Sequence, residues 1–93
     1  MIKSFKHKGL ELFFITGSTS GIQPSHASKL RIQLTALNSA TSPLDLRVPP
    51  SWNLHQLKGK LVNHWSIKVN GNWRITFKFE NGRAEVVDYQ DYH

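Results

Sequence analysis

The chain has no cysteine, so neither a disulfide framework nor thiolate chemistry is open to it, and cysteine says nothing of its redox compartment. It is also short of acids. Six Asp and Glu stand against twelve Lys and Arg, giving a formal net charge of +6 and a pI near 10.0. That balance points to an anionic partner, nucleic acid foremost. An acidic protein or a membrane surface also fits, and a basic domain that binds nothing is the bland alternative. Long hydrophobic runs are missing too. The longest purely apolar stretch runs only from Leu12 to Ile15, too short to span a membrane. Met1-Ile2-Lys3 opens straight into polar sequence without the apolar region of a signal peptide, so a cytoplasmic location is expected. The five histidines, at 7, 26, 55, 64 and 93, show no metal-ligand spacing. Glu85, Asp88 and Asp91 make a poor Mg²⁺ signal, so neither a metal nor a cofactor is expected. Ninety-three residues predict a single domain over 1–93.

What is present reads as helices followed by strands. Ile2 to Lys8 opens as a short edge segment, and its Lys6-His7-Lys8 cluster reads as a solvated basic rim. Gly9 to Thr16 predicts a short helix stopped by Gly17 and apolar enough to bury most of its girth. After a small-residue loop, Pro24 to Ala40 is the clearest helix. Ala27, Leu30, Leu34 and Leu37 form its apolar stripe, and Ile32 lies off it as an ordinary exposed residue. Pro43, Pro49 and Pro50 break the connection that follows. Leu54 to Leu57 predicts a short strand, and Lys58 to Asn63 a basic loop.

His64 to Tyr89 predicts a three-stranded antiparallel meander. Trp65, Ile67 and Val69 alternate with His64, Ser66 and Lys68, while Trp73, Ile75, Phe77 and Phe79 alternate with Arg74, Thr76 and Lys78. A three-residue Asn70-Gly71-Asn72 turn sets Val69 opposite Trp73, Ile67 opposite Ile75 and Trp65 opposite Phe77, with Asn72 left-handed. A two-residue Asn81-Gly82 turn pairs Phe79 with Ala84, Phe77 with Val86, Glu80 with Arg83 and Lys78 with Glu85. The same register puts Tyr89 opposite Arg74 and leaves one misfit, Asp88 opposite Ile75 on the apolar face. One face is then a floor for the helices. The other carries His64, Lys68, Arg74, Lys78, Glu85 and Tyr89, and by parity Asp91 and His93 continue on it.

The ending Asp91-Tyr92-His93 puts a carboxylate, a phenol and an imidazole together where little core can be gained. Alone, such a tail is more often a frayed terminus. Beside a cationic sheet face it suits phosphodiester cleavage. RNA brings its own nucleophile, the 2′-hydroxyl, so a protein must align it, move protons and stabilise charge on the phosphorane. Arg suits the last task and His the proton transfer.

Several segments are similar to HigB toxins of the RelE-like superfamily. They are Met1 to Leu10, Leu54-His55-Gln56-Leu57-Lys58-Gly59, Trp65-Ser66-Ile67, Asn72-Trp73-Arg74-Ile75-Thr76-Phe77 and Asp91-Tyr92-His93. The match is colinear over nearly the whole chain. Each motif is weak alone and the set is specific. The resemblance implies an α+β, RelE-like microbial ribonuclease fold, with two N-terminal helices packed on one face of a curled, mainly antiparallel sheet. It also implies metal-independent cleavage of mRNA on the translating ribosome, contact with ribosomal RNA, and neutralisation by a HigA-like helix-turn-helix antitoxin. Its functional residues fall on His55, Lys58, Arg74, Asp91, Tyr92 and His93 here, with Lys60 and Lys68 added as RNA contacts from the basic loop and sheet face. Gln56 replaces the Pro common after the motif His, and the stretch Arg47 to Pro50 varies within the family. Plainer readings stand beside these. On spacing alone His55 reads as a strand-end histidine, Lys58 and Lys60 as a solvated turn, Arg74 as a structural partner of Asp91, and Trp65 and Trp73 as core; the resemblance moves His55, Lys58 and Arg74 toward a site. Proton transfer falls to His93 oriented by Asp91, to Asp91 itself, or to His55. A ParE-like inhibitor of DNA gyrase and a basic RNA-binding module without turnover are the competing functions.

Overall fold

A computed structural model describes residues 1–59 and 62–91. The expectations placed on Lys60, Tyr92 and His93 therefore lie outside the described residues. Two helices, α1 (Lys8–Thr16) and α2 (Ala27–Ser39), precede four strands, β1 (His55–Gln56), β2 (His64–Asn70), β3 (Trp73–Glu80) and β4 (Arg83–Asp91). The strands form one antiparallel sheet in the order β1-β2-β3-β4.

Local chemistry sets the helix ends. The His7 ring accepts the Leu10 N–H at 2.9 Å and caps the start of α1, so it does more than decorate a basic rim. Gly17 ends α1 in the left-handed region (φ 82°), returning its N–H to the Phe13 carbonyl. The first turn of α1 is pinned against the following loop: a Cβ on Gly9 would lie 2.5 Å from the Gly21 carbonyl oxygen. One tight turn, Pro24–His26, leads into α2 because Pro at the start fixes φ where no helical N–H is needed.

The core joins one side of both helices to one face of the sheet. Leu10, Phe13, Leu30, Leu34 and Leu37 pack with Ile67, Val69, Ile75, Phe77, Ala84 and Val87. The expected stripe of α2 is the observed one, with Ala27 half-buried at its start, and Ile32 is exposed. Helix α1 buries less than its composition implies. Only Leu10 and Phe13 face inward, while Leu12, Phe14 and Ile15 are exposed, because a nine-residue helix against a single layer covers only one side. Trp65 and Trp73 pack against the core as expected.

The register of β2 with β3 follows the sequence pattern through Trp65–Phe77, Ile67–Ile75 and Lys68–Arg74. It slips only at the end, where Asn70 rather than Val69 meets Trp73 and Gly71 rather than Asn72 takes the left-handed position (φ 57°). The slip is a β-bulge, and buried Gln33 of α2 donates from Nε2 to the Lys68 carbonyl there at 2.8 Å. The Asn81-Gly82 turn is as expected, with both residues at positive φ.

The larger departure lies in β4. Pairing runs Glu80–Arg83, Phe79–Ala84 and Lys78–Glu85, then resumes one residue later as Thr76–Asp88, Ile75–Tyr89, Arg74–Gln90 and Trp73–Asp91. Val86 is the extra residue, at φ 47° and exposed. Its N–H goes to Ser4 Oγ at 2.9 Å, and the Val87 N–H to the Ser4 carbonyl at 3.1 Å. The N-terminal segment thus runs parallel to β4, bridging Ile2–Ala84 and Phe5–Val87, as the expected edge segment. The bulge reverses side-chain parity beyond it. Val87 and Tyr89 turn into the core, and Asp88 and Gln90 turn out. The expected Phe77–Val86 pair, Tyr89 opposite Arg74, and Asp91 on Arg74's face are all corrected by this one inserted residue. So is the misfit of Asp88 on the apolar face.

Candidate active site

The outer sheet face is a grid of three cross-strand rows. His64, Lys78 and Glu85 form the first, His55, Ser66, Thr76 and Asp88 the second, and Lys68, Arg74 and Gln90 the third. Alternation along β2 and β3 explains the membership of Ser66, Lys68, Arg74, Thr76 and Lys78. The bulge explains Asp88 and Gln90.

His55 sits at the edge of the second row. Its Nδ1 lies 3.1 Å from the Asn53 carbonyl and its Nε2 3.4 Å from Ser66 Oγ. A carbonyl only accepts, so Nδ1 carries a proton; in the neutral ring Nε2 then accepts, with the Ser66 hydroxyl as its neighbour. The left-handed Asn53 (φ 49°), closing the turn Pro50–Trp52, aims that carbonyl. Arg74 is half-buried in the third row, and its Nη1 is buried without a hydrogen-bond partner among the described residues. A guanidinium nitrogen held out of water with nothing to bond is a site waiting for an acceptor, and an anion supplies one. Beside it, Gln90 donates from Nε2 to Thr76 Oγ1 and Asp88 Oδ2, both at 3.0 Å. Both amide hydrogens are thereby used, which leaves the Gln90 carbonyl oxygen as the end able to meet a ligand.

The expected residues divide. His55, Lys68 and Arg74 share this face, and Lys58 is exposed in the turn after β1. Asp91 pairs with Trp73, so its side chain leaves the strand on the opposite side from Arg74. Sequence reasoning missed Ser66, Thr76, Asp88 and Gln90 as site residues. Alternation alone had already put the two hydroxyls on this face; the carboxylate and carboxamide needed the bulge. Among the described residues, no group of three or more His, Asp or Glu is gathered as a metal would require. No described helix is long and apolar enough to cross a membrane.

Residues 3–93 match the family model for the RelE-like toxin of type II toxin-antitoxin system HigB. The chain belongs to the HigB family. It is 47% identical to Endoribonuclease HigB of Proteus vulgaris, with both chains covered in full. It is 34% identical to Toxin HigB-1 of Vibrio cholerae, over the whole of this chain and 98% of that protein. An uncharacterised Haemophilus influenzae protein is 32% identical over 96% of this chain and 88% of its own length. The α+β architecture, two helices on one face of an antiparallel sheet, agrees with RelE-like membership. As a HigB toxin of a type II system, the chain has an antitoxin as its partner.

Proposed function

We propose that this HigB-family domain is an endoribonuclease that cuts mRNA on the translating ribosome, in the cytoplasm, without a metal. Arg74 Nη1, buried without a hydrogen-bond partner among the described residues on a cationic face that also holds His55, carries this reading. The 47% identity to a protein named an endoribonuclease supports it. In the reaction, the 2′-oxygen attacks the adjacent phosphorus and the bond to the 5′-oxygen breaks. The products are a 2′,3′-cyclic phosphate and a 5′-hydroxyl. His55 Nε2, in the neutral ring oriented by the Asn53 carbonyl, exchanges its Ser66 neighbour for the substrate and takes the 2′-hydroxyl proton. Arg74 meets the phosphorane oxygens with two prongs. The leaving oxygen receives its proton from the Asp91-Tyr92-His93 tail.

Lys68 and Lys58 hold flanking phosphates, with Lys60 in the same role. Ribosomal RNA meets the same cationic surface. Lys78 borders both the outer face and an open depression of about 360 Å³ lined by Trp65, Gln56 and Asn63, a path for the strand beyond the cut. The antitoxin is of the HigA helix-turn-helix kind. Mapping RNA ends after induced expression tests the whole reading. Cuts within translated frames, carrying cyclic or 3′-phosphate ends, are expected. If DNA synthesis stops first while mRNA stays intact, the function is not this one.

A further inference from the structure

At one edge of the core, polar groups gather around Tyr89 that the outer grid does not use. Tyr89, 4% exposed, stacks on Trp73 with ring centroids 4.5 Å apart. Its hydroxyl lies 2.6 Å from Nδ1 of buried His26 and accepts the Gln23 N–H at 3.4 Å. The His7 ring meets it edge-on at 5.4 Å. The starts of both helices and the near ends of β3 and β4 therefore converge on one phenol. One hydrogen bond thus joins the Tyr89 hydroxyl to His26 Nδ1, beside the one the phenol oxygen accepts from Gln23.

We infer that His26 is a positioning residue: through Tyr89 it fixes the described end of β4, and so the stretch that brings Asp88 and Gln90 onto Arg74's face. This rests on the ribonuclease reading above. The outer edge of β4 is bridged by the N-terminal segment only as far as Val87, so from Tyr89 onward the ladder holds β4 on the β3 side. On that stretch the side chain of Tyr89 adds a restraint from the core side. An apolar pair would fill the same space, but a stack permits sliding, whereas a phenol bonded across 63 positions to a fixed helix entry does not. The restraint matters because a displacement of about 1 Å at a reacting group costs on the order of 100-fold in rate.

The test uses the full chain as Tyr89→Phe, His26→Ala and His26→Gln. Phe keeps the stack and removes the hydrogen bond; Gln keeps an acceptor for the phenol. Steady-state cleavage on translating ribosomes should show kcat lowered about 10- to 100-fold in Tyr89→Phe and His26→Ala, with KM unchanged. His26→Gln should recover much of that loss. Adding His26→Ala to Tyr89→Phe should cost nothing further. Amide exchange at Tyr89 to Asp91 should quicken in Tyr89→Phe while the melting temperature holds. Unchanged exchange overturns the anchor whatever the activity. Quickened exchange with wild-type kcat overturns its role in positioning. A wild-type protein that cleaves no mRNA overturns the ribonuclease reading instead, and with it the catalytic purpose given to the anchor. If His26→Ala does not fold, the other two variants carry the comparison.

Discussion

A guanidinium nitrogen buried without a hydrogen bond is costly unless something comes to meet it, and among the described residues Arg74 Nη1 has none. Arg74→Ala should keep its fold, because the side chain lies off the core face, and should lower kcat by about 10²- to 10³-fold. Arg74→Lys should recover little, since a point charge cannot make a two-pronged contact. Cleavage assays beside thermal melts check both, and unfolding of the alanine variant would make Arg74 a structural part. His55→Ala should cost about 10²- to 10⁴-fold in the same cleavage assay, the usual worth of a positioned base. Tyr89 gives a prediction of different sign. Desolvation by burial holds its phenol above the ordinary 10.0, only partly offset by the Gln23 N–H. The folded state thus keeps that proton more tightly than the unfolded chain. Its contribution to stability is complete below pH 10 and is lost as pH rises through the folded value. Tyr89→Phe should flatten the alkaline arm of a melting-versus-pH curve.

Element by element, the strand pattern was legible where side chains alternate without interruption and illegible where the backbone inserts a residue. Trp65, Ile67, Ile75 and Phe77 fix β2 against β3, and Asn81-Gly82 names its own turn. The bulge at Val86 left a trace in the sequence, the carboxylate of Asp88 on a face that could not hold it. Nothing local distinguishes a bulge from a strand end, because Val86 is held at positive φ by a distant partner, Ser4. Arg74, His55 and Lys68 were therefore readable as one face, while Gln90 and Asp88 were not, and Asp91 was aimed the wrong way. Deleting Val86 restores plain alternation and should swing Val87 and Tyr89 out of the core. Each forfeits about 1.5–3 kcal/mol of burial, enough together to unfold a small domain of ordinary stability. Circular dichroism of the deletion variant tests this, and a native-like melt would show that the bulge is dispensable. Deleting residues 91–93 removes the last ladder pair, Trp73–Asp91, and leaves the rest of the described sheet paired. Melting and antitoxin pull-down should then change little, while cleavage is abolished.

For the molecule as a whole, charge sets how it meets its target. A net +6 on 93 residues draws it toward RNA before any base is read. Lys58→Ala and Lys78→Ala should each reduce the salt dependence of ribosome or RNA binding. The log–log slope should fall by roughly 0.7 for every phosphate of a single strand that is no longer neutralised. Titrations at several salt concentrations check this, and slopes equal to wild type would make these lysines merely solvated.

The bond from Val86 to Ser4 joins residues 82 positions apart, and Met1 and Lys3 are tied to Ala84 in the same way. As the chain leaves a ribosome, Met1 to Ser4 must therefore wait for Ala84 to Val87 before they find their place. The β2–β3–β4 hairpins close over short loops and can assemble first, whereas the bulge that turns Asp88 and Gln90 toward Arg74 is secured only when the opening segment docks. Order of synthesis thus becomes a safeguard: an unfinished chain can already hold the arginine and the histidine, yet the face on which they meet an RNA phosphate is not finished until these two distant segments have come together.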